Sequence, residues 1–435
     1  MPDLLLSPFR FEVTPSLGHA CCGGWITPVL AVDDPLYCHG FVLTGCDSPI
    51  VVCAVDWTGL FNEAHLAWRV ALAEAAGTTP DRVAVQCVHQ HNAPLACLDA
   101  ARIVAEQGDL PRGVDLEFFN ECLDRAGASV TQSVRRARPV THIASGRAQV
   151  EKFASNRRVH RDEEGFVIAT RNSRETSESM RELPEGLIDP WLKTVAFYDG
   201  DLKIAACHYY ATHPMSYYGD GRVSSDTVGL ARKRRQEDEP DCAHIYFTGC
   251  AGNIAAGKYN DGSPERRPIL SDRIYDGMVR AERELRPEPI SEVSWSTTGV
   301  IPKVNDALFR ADLEETIRSK TASVMDRCRS SYMLSWRRRI EQKIPLGLSF
   351  LRINGIGMLH LPAECFVEYQ LRAQKMARTQ FLATAAYGDG GPWYIPVKEE
   401  YGKGGYELTV AFCDPEVDDL ITRGMRELLH PMQEI

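Results

Sequence analysis

Short apolar runs alternate with amphipathic stretches along this chain, which predicts strands alternating with helices. Residues 41–43 and 50–56 predict two consecutive strands across the turn 45–49, and residues 63–76 predict a helix that ends at Gly77. Further strands or extended segments are predicted at 83–88, 143–153, 208–212, 244–247 and 346–361, and further helices at 116–136, 309–329 and 416–429. The polar segment 160–187 is predicted to be a hairpin or surface excursion. This alternation indicates an α/β fold.

The strand predicted at 83–88 runs directly into His89-Gln90-His91-Asn92-Ala93-Pro94. In an extended backbone, residues i and i+2 point to the same side, so His89 and His91 are expected to lie together. One imidazole can then bind a cation while the other transfers a proton. The alternative is a pair of surface histidines with ordinary hydrogen bonds.

Two later strands end in the same way. His213-Pro214 follows the β-prone run 208–212, and Pro362-Ala363-Glu364 follows the run 357–361. Two imidazoles and a carboxylate form a ligand set that suits zinc. The alternatives are a core histidine bonded to a backbone carbonyl, and a glutamate that favours a helix N-terminus.

Five motifs, in the same order along most of the chain, resemble those of the neutral, non-lysosomal ceramidases. They are His89-Gln90-His91-Asn92-Ala93-Pro94, Asn156-Arg157-Arg158, His213-Pro214 with Ser224-Ser225-Asp226-Thr227-Val228-Gly229, Pro362-Ala363-Glu364, and Tyr394-Ile395-Pro396-Val397-Lys398-Glu399-Glu400-Tyr401 with Tyr406-Glu407. The last keeps the family's interval between its first and last tyrosine. The resemblance implies a mixed β-sheet core flanked by helices, in one large catalytic domain.

The resemblance also implies roles for individual residues. One Zn²⁺ per chain would be bound by His89, His213, Glu364 and Tyr394, with His91, Arg157 and Tyr406 as catalytic groups around the reacting carbonyl. Residues that bind substrate or support these groups would be Asn156, Asp226, Gly252 and Asn253. Zinc can lower the pKa of a bound water from about 15.7 to about 7, which suits hydrolysis at neutral pH.

One motif departs from the family. Where ceramidases carry Gly-Asp-Val-Ser-Pro-Asn, this chain reads Gly252-Asn253-Ile254-Ala255-Ala256-Gly257, so the serine position is Ala255. An alanine cannot be acylated, and water is therefore the expected attacking group. Cys250, in the same turn, is a further candidate nucleophile.

Several observations argue against ceramide as the substrate. Met1-Pro2-Asp3 precedes only three leucines, without the basic and apolar regions of a signal peptide, and no run is long enough to span a bilayer. The chain ends soon after Tyr406, so we expect residues 1–435 to form a single domain without the C-terminal β-sandwich of ceramidases. A small polar substrate and a cytoplasmic location are predicted.

Net charge indicates which classes of partner to expect, and cysteine spacing indicates the state of the thiols. A net charge of −10 and a pI near 5.7 argue against nucleic acid and anionic membranes as partners. The basic runs 232–235 and 337–339 are predicted to be solvated helix faces. The 14 cysteines contain no C-x-x-C and are expected to be reduced. Assembly into a homo-oligomer is left open.

The leading hypothesis is a zinc-dependent hydrolase that cleaves an amide, or an ester or lactone, of a small polar substrate. An amidohydrolase-type barrel also opens its metal site with H-x-H, but at the end of its first strand, and two strands precede His89 here. A metal-dependent isomerase or lyase acting on a sugar or keto acid, and a non-catalytic ligand-binding relative, remain as further hypotheses.

Overall fold

Three β-sheets form the centre of the molecule in a computed structural model, which describes residues 4–430. Elements are numbered in chain order. The first sheet has the order β6-β4-β3-β1-β8, the second β16-β14-β13-β9-β18, and the third β19-β20-β21-β23. Their strands are β1 (Leu5–Glu12), β3 (Tyr37–Thr44), β4 (Ile50–Val55), β6 (Val83–Cys87), β8 (Arg138–Pro139), β9 (His142–Gln149), β13 (Trp191–Asp199), β14 (Leu202–Tyr210), β16 (Ala243–Thr248), β18 (Glu288–Pro289), β19 (Val293–Val300), β20 (Leu346–Ile353), β21 (Ile356–His360) and β23 (Phe381–Ala385).

Each sheet is mixed: most neighbours are antiparallel, but β4 and β6, β14 and β16, and β21 and β23 are parallel. Five short strand pairs complete the β-structure: β2 (Ala31–Val32) with β15 (Arg222–Val223), β5 (Gly59–Phe61) with β7 (Leu95–Cys97), β10 (Ser155–Asn156) with β17 (Ile254–Ala255), β11 (His160–Arg161) with β12 (Val167–Ala169), and β22 (Glu364–Cys365) with β24 (Tyr394–Ile395). The predicted mixed sheet core is confirmed. None of the described sheets closes into a barrel, which excludes the amidohydrolase architecture.

Helices flank the sheets, as predicted. They are α1 (Glu63–Ala76), α2 (Leu98–Ala105), α3 (Leu116–Val134), α4 (Glu178–Glu182), α5 (Asp226–Asp238), α6 (Arg266–Arg283), α7 (Leu313–Arg318), α8 (Val324–Glu341), α9 (Val367–Met376) and α10 (Val417–Leu429). Helix α1 ends as expected, because Gly77 adopts a left-handed conformation with φ 68° and donates its N–H to α1 carbonyls.

The single helix predicted at 309–329 is wrong, since the segment contains two helices. The Ser319 hydroxyl accepts hydrogen bonds from the Thr321 and Ala322 N–H groups, and the Ser323 side chain caps the start of α8 at Asp326 N. Serine side chains compete with helical hydrogen bonds in this way, and periodicity alone does not register the break.

The basic runs are only partly solvated, which corrects the prediction. Arg232 is buried and binds both oxygens of Asp56 at 2.8 Å, while Arg339 is buried against Asp389. Arg235 is also buried, whereas its neighbours Lys233 and Arg234 are exposed. These buried cations are tolerated because each faces a carboxylate.

The parallel strands of the three sheets end close together. Thr248, at the end of β16, donates its hydroxyl to Val88 O at 2.7 Å and accepts a backbone hydrogen bond from Ala386. Cys87, at the end of β6, donates its N–H to Tyr387 O at 2.7 Å. The loops after β6, β14, β16, β21 and β23 therefore meet in one place, where α/β proteins commonly build sites.

Within residues 4–430, no helix combines the length and apolar character that a bilayer crossing requires. All 14 cysteines are free thiols, and Cys250 is buried.

Candidate functional site

Three side chains that the sequence placed at strand ends meet at one point. Glu364 Oε2 lies 3.2 Å from His89 Nε2 and 3.1 Å from His213 Nε2. His89 follows β6, His213 follows β14, and Glu364 begins β22, so each comes from a different part of the sheet system. All three side chains are almost completely buried.

The Nδ1 atoms of both histidines are hydrogen-bonded to backbone carbonyls. His89 Nδ1 lies 2.6 Å from Thr58 O, and His213 Nδ1 lies 2.6 Å from Ala251 O. In the neutral rings the proton therefore sits on Nδ1, and the Nε2 lone pairs face the carboxylate. With this tautomer, three acceptor atoms converge with no proton between them, an arrangement that a cation stabilises. Imidazole with an anchored Nδ1–H is also the usual orientation for metal binding.

Electrostatics in the site agree with this arrangement. Burial and the Arg157 guanidinium lower the pKa of His213 to about 4, which keeps the ring neutral at pH 7. Burial opposes ionisation of Glu364, but the two histidines outweigh it and hold the pKa of the carboxyl well below its usual value. Two imidazoles and one carboxylate are a donor set that fits Zn²⁺.

The expected strand geometry of the histidine pair is wrong, although the two rings do come together. Strand β6 ends at Cys87, and His89 has φ 74°, so the chain turns at His89 instead of continuing as a strand. The His89 and His91 rings still lie 4.9 Å apart. Ala363, Tyr387 and Trp393 also have positive φ, at 52°, 61° and 58°. Such conformations cost about 1–3 kcal/mol each and cluster where a site imposes them.

His91 lies at the edge of this cluster. Nitrogen atoms of His89, His91 and His213 all lie within 4.8 Å of one another, so the three histidines also form a potential metal-binding group. Glu364 Oε2, in contrast, contacts the Nε2 atoms of His89 and His213 directly. Burial, together with His89 and His213, lowers the pKa of His91 well below its ordinary value. The His91 ring is therefore neutral at pH 7.

Arg157 and Tyr394 border the cluster on another side. The Arg157 guanidinium donates to Tyr394 Oη at 3.3 Å and to Ser173 Oγ at 2.9 Å. Tyr394 pairs with Glu364 in adjacent strands, β24 and β22, which explains why both face the same place. Burial and Glu364 raise the pKa of Tyr394 well above its usual value. Tyr406 lies beside Tyr394, with ring centroids 6.0 Å apart.

Tyr406 lies at the mouth of the site. Its surface is 53% exposed, yet dehydration around its hydroxyl and the nearby Glu364 raise its pKa to about 12. It therefore remains a neutral hydrogen-bond donor at pH 7. Tyr218 also borders the mouth, 5.6 Å from the His91 ring and 41% exposed.

Gly252 and Asn253 support the carboxylate strand. A Cβ on Gly252 would lie 2.3 Å from Glu364 O, so only glycine lets the two backbones approach this closely. Asn253 accepts from Val367 N at 2.9 Å and donates to Glu368 Oε2 at 2.9 Å. Both residues position the segment around Glu364.

Asn156 and Asp226 are likewise committed to protein contacts. Asn156 donates to Leu187 O at 3.0 Å and accepts from Arg158 N at 2.9 Å, which shapes the turn before the arginines. Asp226 accepts from both the N–H and the hydroxyl of Ser216, at 2.8 and 2.7 Å. It thereby holds the loop that leads to Tyr218.

Two residues of the site were not predicted from the sequence. Tyr387 stacks on His89 with centroids 4.3 Å apart, and its hydroxyl lies 3.4 Å from His213 Nδ1. The sequence did contain a signal for Tyr387, which follows shortly after β23 and precedes a glycine-rich turn. Ser173 was missed because it belongs to the segment 160–187. That segment does contain the β11–β12 hairpin, but it also delivers Ser173 to Arg157 and buries Arg171.

The turn after β16 carries Ala255 beside His213, to which it is joined by a β-bridge. Ser155 pairs with Ala255 and donates its hydroxyl to Ala255 O at 2.8 Å, so this nearby serine is committed to the backbone. Cys250 is buried in the same turn, where its N–H donates to Gln370 Oε1.

No protein-family model matches this sequence, and no match was found among curated proteins. Two solved structures are similar in fold. A ceramidase in complex with C2 superposes with a TM-score of 0.72, at 14% identity, over 99% of this chain and 75% of that chain. The neutral ceramidase from Pseudomonas aeruginosa superposes with a TM-score of 0.70, at the same identity and coverage. The resemblance seen in the motifs is confirmed at the level of structure: this chain has the fold of the neutral ceramidases.

Proposed function

We propose that this protein is a zinc-dependent hydrolase that cleaves an amide bond of a small polar substrate, with esters and lactones as the neighbouring alternatives. The fold, shared with ceramidases, suggests a hydrolase. The observation that carries the proposal is the convergence of His89 Nε2, His213 Nε2 and Glu364 Oε2, with both Nδ1 atoms held by backbone carbonyls.

Under this proposal, His89, His213, Glu364 and Tyr394 hold one Zn²⁺. The bound ion would supply Lewis acidity and lower the pKa of a water to about 7. His91 takes the proton of the attacking water and returns it to the leaving amine, a role that suits a neutral imidazole. Arg157 and Tyr406 donate hydrogen bonds to the oxygen that gains charge, each worth roughly a few kcal/mol in a preorganised site.

The absence of a hydroxyl at Ala255 supports attack by water instead of a serine ester intermediate. The groups at the mouth support a polar substrate. Tyr218 and Tyr406 are amphipathic and half exposed, and the buried Arg157 guanidinium is near enough to offset part of the rise that dehydration causes in the pKa of both. These donors suit a substrate with polar groups near its scissile bond.

Metal counting on purified protein tests the proposal. Wild type is expected to hold about one more zinc per chain than Glu364→Ala and His213→Ala, which lose the zinc of this site. His91→Ala should retain the metal but lower turnover of N-acyl substrates by roughly 10²- to 10⁴-fold. His142→Ala, which lies outside the site on β9, is the matched histidine control and should change neither.

Each failure has a distinct meaning. If wild type and Glu364→Ala hold the same amount of metal, the hydrolase proposal fails in favour of a ligand-binding protein. If His91→Ala loses the metal, His91 is a ligand and not the proton-transfer group. A metal-loaded protein that converts sugars or keto acids but no acyl compound would instead be an isomerase or lyase.

A further inference from the structure

A second group of metal-binding side chains lies at the opposite ends of β14 and β16 from the candidate site. Glu239 and Cys242 lie between α5 and β16, and His244 is the second residue of β16. One ligand atom from each of these three side chains lies within 4.8 Å of the others. Cys242 and His244 are buried, while the Glu239 side chain is 35% exposed and gives access from solvent.

One ring nitrogen of His244, Nε2, is buried and lacks a hydrogen-bond partner in the described part of the chain. His244 Nε2 is one of the buried polar atoms left unpaired within residues 4–430. Glu239 Oε2 approaches it to 3.7 Å, which is longer than a hydrogen bond. The Cys242 thiol has only a 4.0 Å contact with a backbone oxygen. Nitrogen and sulfur thus face the same small space without using their bonding capacity.

A chain of hydrogen bonds orients this nitrogen. His208 Nδ1 lies 2.9 Å from the Thr194 hydroxyl, and His208 Nε2 lies 3.0 Å from His244 Nδ1. When His208 donates to Thr194, its Nε2 accepts the Nδ1–H of His244, and the Nε2 lone pair of His244 points at Glu239 and Cys242. The opposite direction of the chain would place an N–H there, facing a carboxylate too distant to accept it well. The first direction matches the support that metal-binding histidines commonly have.

We propose that Glu239, Cys242 and His244 bind a second Zn²⁺, which joins the end of α5 to the start of β16. Carboxylate, thiolate and imidazole are all zinc ligands, and a water would complete a tetrahedral site. Burial raises the pKa of the Cys242 thiol to about 12, so binding must release its proton to solvent. The resulting Zn²⁺, thiolate and carboxylate carry no net charge. This inference is independent of the proposed function.

Lys203 opposes metal binding and makes the site testable. Its Nζ lies 2.6 Å from Glu239 Oε2 and also binds Glu282. Arg235 binds the same two carboxylates, so Glu239 and Glu282 each already face two cations. Metal binding therefore requires Lys203 to release Glu239 and keep Glu282. Among the described residues, no hydrogen bond of this network reaches the Cys242 thiol or His244 Nε2, and these two atoms carry the proposal.

The test is a Co²⁺ titration of chelator-treated protein in the Glu364→Ala background, which separates this site from the candidate catalytic site. Binding at the second site should produce a thiolate-to-cobalt charge-transfer band in the near-ultraviolet and one equivalent of bound Co²⁺. Cys242→Ser should lose the band. Cys207→Ser, a buried cysteine on the neighbouring strand β14, is the matched control and should retain it.

Two milder variants distinguish loss of the metal site from misfolding of the protein. Glu239→Gln, at a partly exposed position, should weaken Co²⁺ binding by at least about tenfold. Lys203→Gln, which removes the competing cation, should tighten it. No charge-transfer band in the Glu364→Ala protein, or a band that survives Cys242→Ser, would overturn the second site and leave the catalytic proposal untouched.

Discussion

A buried ion pair connects the two segments that deliver Arg157 and Tyr406, and it offers the sharpest structural prediction. Arg158 Nη1 donates to Glu407 Oε2 at 2.9 Å, and the two side chains are 1% and 0% exposed. Each partner is the chain neighbour of a proposed catalytic residue. We predict that Arg158→Met destabilises the protein by about 3–5 kcal/mol, the usual cost of leaving one charge of a buried pair uncompensated.

The neighbouring contacts determine which carboxylate is left without a partner in Arg158→Met. Arg158 also binds Glu400, at 2.6 Å, but Glu400 keeps Arg161 as a second partner at 2.8 Å. Glu407 lacks a second partner of this kind, since its Oε1 is unpaired among the described residues. The penalty of Arg158→Met therefore comes mainly from Glu407. The double variant Arg158→Met/Glu407→Leu removes both charges and should recover much of the lost stability.

Urea unfolding at pH 7, followed by fluorescence and circular dichroism, measures these differences. Lys303→Met, which breaks an exposed ion pair with Glu416, is the control and should cause no measurable change. Arg158→Met should also lower turnover while bound metal stays constant, because it displaces donors and not ligands. A loss below about 1 kcal/mol, typical of a surface pair, or a double variant less stable than Arg158→Met, would refute the reasoning.

Three further predictions concern the pH response and the support of the ligands. Burial lowers the pKa of His360 from 6.5 to about 3. The free energy of unfolding should therefore fall as pH drops from 6.5 towards 3, by up to about 1.4 kcal/mol per pH unit. In a series of urea-unfolding measurements at different pH, His360→Phe should flatten that part of the curve. Gly252→Ala should push the Glu364 backbone away and reduce metal content measured by elemental analysis, whereas Gly127→Ala, where a Cβ meets open space, should not. Tyr387→Leu should weaken Zn²⁺ binding in a competition titration by about 10- to 100-fold, because it removes the aromatic ring that stacks on His89. Tyr387→Phe, which keeps that aromatic ring, should have a smaller effect.

Much of the local structure could be predicted from the sequence. Helix α1 runs over Glu63–Ala76 and ends at Gly77 as expected, and β3, β4, β6, β16 and α10 lie where the apolar runs placed them. These elements are encoded by the spacing of apolar residues and by turn-forming residues, which act over a few positions. The long helix predicted at 309–329 was wrong because serine side chains interrupt it, an effect that hydrophobic spacing does not contain.

The candidate site was predicted only in part, for a related reason. Strand-end positions pointed to His89, His213 and Glu364, and the structure brings all three together. Ser173 and Tyr387 carried no motif, because their contribution arises from contacts with Arg157 and His89 across distant segments.

The sequence by itself determined which segments become strands and helices, which side chains stand at strand ends, and that no serine occupies position 255. Tertiary structure decided which of these strand ends meet, which histidine nitrogen faces the carboxylate, and which arginines of the basic runs are buried. Local patterns encode only whether a residue faces inward. The partner it meets there depends on how three separate sheets pack, through contacts between residues hundreds of positions apart.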